Sequence, residues 1–595
     1  MPSRVARSEG KILRALRDAA KQFLNLKRDR AQTALRFFNE FLRNLIISYK
    51  LQRKDMLRYL QRFFGKESLR IVAVDATIHR DSRRGLLSIY VTAAPLIYEL
   101  DLCTGKFHRI EEPVDKYSIA AIIPVPRAEL HLVKEEVVIS EEMEELAELS
   151  FLRVGRIGPG IMSLAEVYTL YKALRDLDPD VLLYDGSLFT SYSFSVRNPE
   201  RLMLPYGSVL GITLSLEDLF VIASHPYCKE LQIPSPLFTY KYMVMNLLQS
   251  PSSSAKYQVK NDMILVEDYA FNMGRVEISK RSFNNLKKNP LFIVDEGAKV
   301  IELKSEEFRQ SWPKGKELFE KICRTGFEVN DVDAFRLYIN EDVYFYLSAA
   351  DIDFIRGIGF KIIFEHIWSV DRPVILASVT KDSYVRFFVD NFLVVLGPEH
   401  LKVYDFDKRL IPRIPSTDAG VIYDACTLAG EPEPPLSTIE FDPAISTIYE
   451  HDGGLKTLGV VAQERMFYRS LVQLSKLGDK RSYVYTVDRL ALPKFDSEPD
   501  IAEVQIGKKV ARFAYFRDNT RENKVQKALI FVLKLLSSDR DPTVFGYPDP
   551  LYFADQYVRT WAADHKEALE AALTEIDLDE FSATYRQMRE ALRRG

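Results

Sequence analysis

A carboxylate inside an apolar β run constrains this chain more than any other feature. Leu69–Ala76 (LRIVAVDA) has the branched, continuous character of a buried strand, and its one acid is Asp75. An acid among Val72, Ala73, Val74 and Ala76 is costly unless a counter-charge or cation meets it. The fold must therefore bring compensation to Asp75, and the question is from where.

Two further acids lie downstream in a suggestive order. After Leu69–Ala76, turn residues Asp81–Gly85 lead into a second run, Leu86–Ala93, which predicts a β-hairpin, and Ser118–Val125 predicts a third strand. An acidic stretch, Glu141–Glu148, precedes a helix that starts near Ser163, where Ser163 and Glu166 have capping-box spacing. Asp180–Asp185 (DVLLYD) then reads as a short buried fourth strand ending in Gly186-Ser187. In an RNase H-like mixed sheet flanked by helices, the first and fourth strands are neighbours, and the helix after the third leans over them. Asp75, Glu166 and Asp185 would then converge. The ordinary alternatives are that Asp185 caps a turn and that Glu166 holds a helix start.

Clustered carboxylates repel, and hard divalent cations are their natural counter-charge. Oxygen ligands suit Mg2+ or Mn2+, and a pair of such ions supports phosphodiester hydrolysis without a Ser-His or Cys-His nucleophile. Other chemistries lack residues. Cys103, Cys228, Cys323 and Cys426 are far apart and predict buried thiols, not a zinc pair or disulfide framework. There is no HxxxH pair and no GxxxxGK[ST] loop, so any ATPase would be a separate chain. The longest apolar runs, such as Phe392–Leu396, fall far short of the roughly 20 residues of a membrane span. The expectation is a cytoplasmic protein with no membrane association.

The net charge of −3 conceals an asymmetry: residues 1–70 hold 18 Lys and Arg against 6 Asp and Glu, leaving 63 against 78 in the rest. Helical spacing through Leu16, Ala20, Phe23, Leu35, Phe38, Leu42, Leu45 and Ile46 predicts a basic helical N-terminal arm over 1–68. It suits a polyanion, an acidic partner or simple solvation. Residues 69–195 form the first part of the core. Residues 196–345 break the alternation and read as an inserted α+β region. The second part of the core, with C-terminal helices, occupies 346–595. Its predicted elements are helices at Ala350–Ile367, Tyr384–Leu393, Glu464–Leu477, Asp549–Val558 and His565–Leu592, and strands at Pro373–Val379 and Leu458–Ala462.

The segments IVAVDA (Ile71–Ala76), LLYDGSL (Leu182–Leu188), ILASVTKDS (Ile375–Ser383), STDA (Ser416–Ala419) and GYPDPLYFAD (Gly546–Asp555) together resemble, in order, the NurA-type nucleases, partners of the HerA hexameric ATPase. The resemblance covers about 69–190 and 345–560, and its most specific pairing is DGSL with the terminal GYP run. It implies that Asp75, Glu166 and Asp185 bind Mn2+ or Mg2+ as two ions and that Lys381 meets substrate phosphate. It also implies a homodimer acting on DNA single strands or processed ends, in end resection and repair beside a HerA-like hexameric translocase. In the terminal segment the family pattern has a Tyr, here Tyr547, and eight residues later a His, where this chain has Asp555. Asp555 would serve as a fourth acidic ligand. A second departure is VDAT at Val74–Thr77 in place of VDGS. These departures and the insertion leave open a catalytically weak, DNA-binding scaffold that regulates a translocase, and an RNA-directed enzyme of the same fold is a third reading.

Overall fold

The computed structural model describes residues 14–22, 32, 35, 39, 42–49, 52–83, 86–111, 116–126, 157–195, 199–224, 240–261, 263–270, 274–304, 306–341, 343–381, 386, 417–451, 454–457, 466–506, 509–516, 523–537 and 545–575. The predicted elements Tyr384–Leu393 and Leu458–Ala462, the acidic run Glu141–Glu148 and Cys228 lie largely or wholly outside these residues. The chain forms two compact units. The larger comprises Leu60–Ser378, Arg489–Lys494 and Asp549–Gly595; the other comprises Met1–Tyr59, Val379–Asp488 and Phe495–Pro548.

The larger unit is built on a mixed sheet flanked by helices. Its strands are β1 (Ser68–Arg83), β2 (Leu86–Asp101), β3 (Ile119–Pro126), β4 (Val181–Asp185) and the start of β5 (Ile375–Thr380), in the order β3-β2-β1-β4-β5. The expected hairpin is present and longer than the apolar runs alone indicate: β1 and β2 pair antiparallel from Ser68↔Asp101 to Arg83↔Leu86 without interruption. β3 adds antiparallel to β2, and β4 lies parallel to β1, from Ile71↔Val181 to Val74↔Tyr184. The first and fourth strands are therefore side by side, as the order of the acids anticipates.

Three helices position the site: α1 (Ile157–Leu177), α2 (Ala349–Ser369) and α3 (Asp549–Glu575). Strand parity separates them. Cross-strand partners share a face and alternate residues switch faces. Thr92 donates to Val558 O (3.4 Å) and the Tyr90 ring stacks on His565, so α3 covers the face of Thr92, Tyr90 and their partners Thr77 and His79. Asp75 belongs to that parity. On the opposite parity, a Cβ on Gly158 of α1 would lie 2.7 Å from Arg80 Nε and 2.8 Å from Ile78 Cδ1, so a larger residue there would have to displace these side-chain ends. α2 packs along α1, with its start fixed by a capping box between Ser348 and Asp351.

The end of the sheet away from Asp185 is tied by Asp180, whose side chain is 3% exposed. It accepts from Lys66 Nζ (2.6 Å), Arg372 Nη1 (3.0 Å) and the Arg70 amide (3.0 Å). One carboxylate thus joins β1, β4 and the approach to β5. Asp180→Ala leaves three donors without their acceptor and is expected to destabilise the fold by about 3 kcal/mol, read as a lower urea midpoint with unchanged m-value.

Within residues 196–345, read from sequence as an insertion, lies a five-stranded antiparallel sheet, ordered Gly274–Ser279, Met263–Asp268, Ser254–Lys260, Val300–Leu303, Phe292–Asp295. Its core, including Tyr257, Ile264, Ile278, Phe283, Leu286 and Ile301, joins residues of the helices Leu216–Ser224, Tyr240–Gln249 and Lys280–Lys288.

In the other unit, strands Ile46–Ser48, Leu436–Thr438, Phe467–Gln473 and Tyr485–Leu490 lie in that order beside the helices Asp418–Ala429 and Lys524–Leu536. Here Arg469 and Asp488 form a buried two-point ion pair (2.6 and 2.9 Å).

Several expectations are corrected. Glu464–Leu477 is not a helix: its described part holds a strand, Phe467–Gln473, buried at every position. Arg469, Ser470 and Gln473 mimic a polar helical face, but Arg469 takes Asp488, Ser470 takes Gln526 and Gln473 takes Ser482 O. Ile46, read as helical, opens a strand paired to Leu436–Thr438. The two C-terminal helices are one as far as Glu575, because Arg559–Asp564 contains no breaker. α1 starts six residues before Ser163, and Cys103 is exposed, whereas Cys323 and Cys426 are buried.

Candidate active site

The β1–β4 register sets the first two acids. Val74 is opposite Tyr184, so the next residues, Asp75 and Asp185, occupy adjacent positions on neighbouring parallel strands. Asp75 is 7% exposed, and its Oδ1 accepts from the Ala76 amide (2.8 Å). Asp185 ends β4, and Gly186 follows at φ +117°, a backbone conformation that favours glycine. The DG pair thus releases the chain sharply from the sheet at the acid.

The third acid comes from α1. The helix begins at Ile157, so Glu166 lies about two and a half turns inside it and has no capping role. Glu166 is 4% exposed and sits in a helix otherwise buried over most of its length. Burial pushes its carboxyl well above the ordinary glutamate range, and the negative charges of Asp75 and then Asp185 push it further. A hydrogen bond from the Tyr184 hydroxyl and the Arg356 cation act the other way without cancelling the rise. The three sequence-predicted carboxylates therefore act on one another, each from a different element.

Tyr184 and Arg356 are the residues that sequence reasoning missed. The Tyr184 hydroxyl lies between Glu166 and Ser191 Oγ (3.1 Å), and burial raises its pKa. Arg356, 6% exposed, donates to Ser191 O (2.9 Å) and pairs with Asp353 (3.0 Å). A signal existed: Arg356 and Asp353 are the only charged residues in the otherwise apolar helical stretch Ile352–Phe360.

The remaining predicted residues, Asp555, Lys381 and Tyr547, have partners of their own. Asp555 lies on the sheet-facing flank of α3, beside the fully buried Leu551, Ala554 and Val558, but its carboxylate pairs with Arg559 (2.8 Å). Lys381 and Tyr547 belong to the other unit and meet each other: Lys381 Nζ stands 4.5 Å from the centroid of the buried Tyr547 ring, which also contacts Tyr485.

The donor chemistry fits a hard divalent cation. It is all oxygen, largely buried and carries a mutual repulsion that Tyr184 and Arg356 leave uncancelled. Among the described residues no group of three or more His, Cys, Asp or Glu side chains is placed to hold a metal ion as it stands.

No family model matches the chain. No curated protein matches it either. Among solved structures, the NurA nuclease from Sulfolobus solfataricus is similar at 14% identity and a TM-score of 0.35, over 96% of this chain and 98% of that one. A NurA structure with manganese aligns at 13% identity and a TM-score of 0.30, over 94% and 98%. A NurA bound to dAMP and manganese aligns at 13% and 0.27, over 82% and 84%. No helix among the described residues is long and apolar enough to cross a membrane.

Proposed function

We propose that this chain is a metal-dependent deoxyribonuclease whose acidic centre is Asp75, Glu166 and Asp185. The observation that carries the reading is Glu166: a buried glutamate in mid-helix whose charged form is opposed by two aspartates from neighbouring strands. Such an arrangement costs stability and caps no helix, which is the mark of a site kept for chemistry. The strand order with its intervening helix also suits an RNase H-like core.

Asp75 and Asp185 would hold Mn2+ or Mg2+, as two ions in this reading, with Glu166 completing the set. When bound, such a cation supplies an activated water and neutralises charge on the phosphodiester. The chain's residues do the positioning. Parallel pairing fixes the two aspartates at one level, Tyr184 holds Glu166 by a hydrogen bond, and Arg356 moderates the charge. The Tyr547 ring lies against Lys381, to which the motif resemblance gives a phosphate-binding role, and Asp555 would serve as a fourth ligand on releasing Arg559. The motif resemblance supports DNA single strands or ends as substrate, a homodimer, and a HerA-like hexameric ATPase in end resection as partner.

The test is Mn2+-dependent cleavage of labelled single-stranded DNA, duplex, RNA and hybrid. Single-stranded DNA is expected to be cut fastest; faster cutting of RNA or hybrid would reject the DNA assignment. Tyr184→Phe, which removes the hydroxyl that meets Glu166 and Ser191, is expected to lower cleavage about 10- to 100-fold with DNA affinity unchanged. The second reading, a weakly catalytic DNA-binding scaffold, is favoured by the engagement of Asp555 with Arg559. It is distinguished by DNA binding without Mn2+-dependent cleavage.

A further inference from the structure

Outside the acidic centre, one helix beside the five-stranded sheet carries positive charge alone. The helix Lys280–Lys288 (KRSFNNLKK) has four cations and no acid, and it buries only Phe283 and Leu286, which join the core of that sheet. Lys280, Arg281, Asn284, Asn285, Lys287 and Lys288 are exposed. Lys287 and Lys288 lie at the C-terminal end, where cations favour the helix dipole; Lys287 also binds Glu296 (2.6 Å) and lies over Phe283.

Lys280 and Arg281 are different. They occupy the first turn, where no acid is present and where the dipole disfavours positive charge. Ser279 caps that turn by accepting from the Ser282 amide (3.1 Å), so the helix start is formed without them. The neighbouring sheet shows the ordinary pattern: Glu267 lies opposite Arg275, and Glu302 and Asp295 share the sheet with Lys256. Only the helix is uniformly basic.

We propose that this outer face is a second nucleic-acid contact that grips the phosphate backbone of the strand. Charge complementarity argues for that occupant. Lys280 to Lys288 span about 12 Å along the axis, and a strand at one charge per roughly 3.4 Å sets three or four phosphates against that length. The face offers amide and cationic donors and no exposed aromatic or aliphatic anchor, which a protein interface core or a bilayer surface would use. The contact reads no sequence, because only backbone charge is met.

The inference rests on the nuclease reading for its substrate, and the experiment separates the two. In an Asp75→Asn background, which is expected to bind without cutting, Kd for a labelled single-stranded oligonucleotide is measured by anisotropy across a salt series. The variant is Lys280→Glu, Arg281→Glu and Lys288→Glu combined. Its two first-turn acids favour the helix dipole, so lost binding does not report a lost fold, and thermal unfolding of the variant checks this. Affinity is expected to fall at least tenfold, and the log–log salt slope to become shallower by about 2, as three cations release their phosphates. In otherwise wild-type protein, cleavage at saturating DNA is expected to be unchanged while KM rises. Unchanged Kd and slope would overturn the proposal, as would reversal that weakens binding to polyglutamate or anionic vesicles while leaving DNA binding intact. Cutting by Asp75→Asn at the wild-type rate would instead reject Asp75 as part of the catalytic centre, and absence of Mn2+-dependent cleavage by the wild type would reject the nuclease reading; either leaves the helix result standing.

Discussion

Asp75→Asn is expected to abolish Mn2+-dependent cleavage of single-stranded DNA, by about a thousandfold or more, equivalent to about 4 kcal/mol of transition-state stabilisation. Asn preserves the shape of the side chain and can still accept from the Ala76 amide, so the β1–β4 register has no reason to change. What it loses is a negative oxygen at the level of Asp185. Loss of activity through unfolding runs against the electrostatics, because the charge of Asp75 is the larger of the two that oppose ionisation of Glu166. Removing it relieves repulsion, so the variant without metal should be at least as stable as wild type. An inactive protein that unfolds at the same or a higher temperature supports a ligand role. Wild-type cleavage by the variant would remove Asp75 from the chemistry.

Glu166→Gln should separate stability from activity even more sharply. The folded-state pKa of Glu166 is raised above its ordinary value of 4.5, so at intermediate pH the folded chain retains a proton that the unfolded chain releases. The associated stability is fully present below about pH 4.5 and is lost as pH rises through the folded-state value. Each unit of displacement contributes about 1.4 kcal/mol. Glutamine carries no such proton and no buried charge. In chelator, wild type is therefore expected to lose stability between pH 5 and pH 8 by more than Glu166→Gln does, with the variant gaining on it as pH rises. With Mn2+ the order should reverse at pH 8, since the cation favours the ionised carboxyl and has less to bind in the variant. Urea midpoints at the two pH values, with and without Mn2+, measure this. Equal pH slopes for the two proteins would show that Glu166 is not held against its ionisation.

The strand pattern that carries the site was legible because it depends on local chemistry. A continuous apolar run with one acid, a hairpin turn and a short DVLLYD strand are each set by their own residues, and the order of elements then places β1 beside β4. The start of α1 was not legible. Ile157–Met162 contains Gly158, Pro159 and Gly160, which lower helix propensity, yet the segment is helical and packs closely on Ile78 and Arg80, a tertiary contact that local sequence does not announce. The strand Phe467–Gln473 was misread because its polar residues are paired inside the protein, a condition that depends on residues distant in sequence. Tyr184 and Arg356 were missed for the same reason: their roles are defined by proximity to Glu166. The likeness of GYPDPLYFAD to a family segment gave Tyr547 and Asp555, but the contacts with Lys381 and Arg559 arise only from the fold.

The most direct measurement is the anomalous scattering of Mn2+ in crystals of the chain soaked with the ion. Peaks contacted by carboxylate oxygens of Asp75, Glu166 and Asp185 are the expected result. Saturating Mn2+ that leaves these three side chains without an ion, or that binds only elsewhere, would contradict the assignment of this acidic cluster as the catalytic centre.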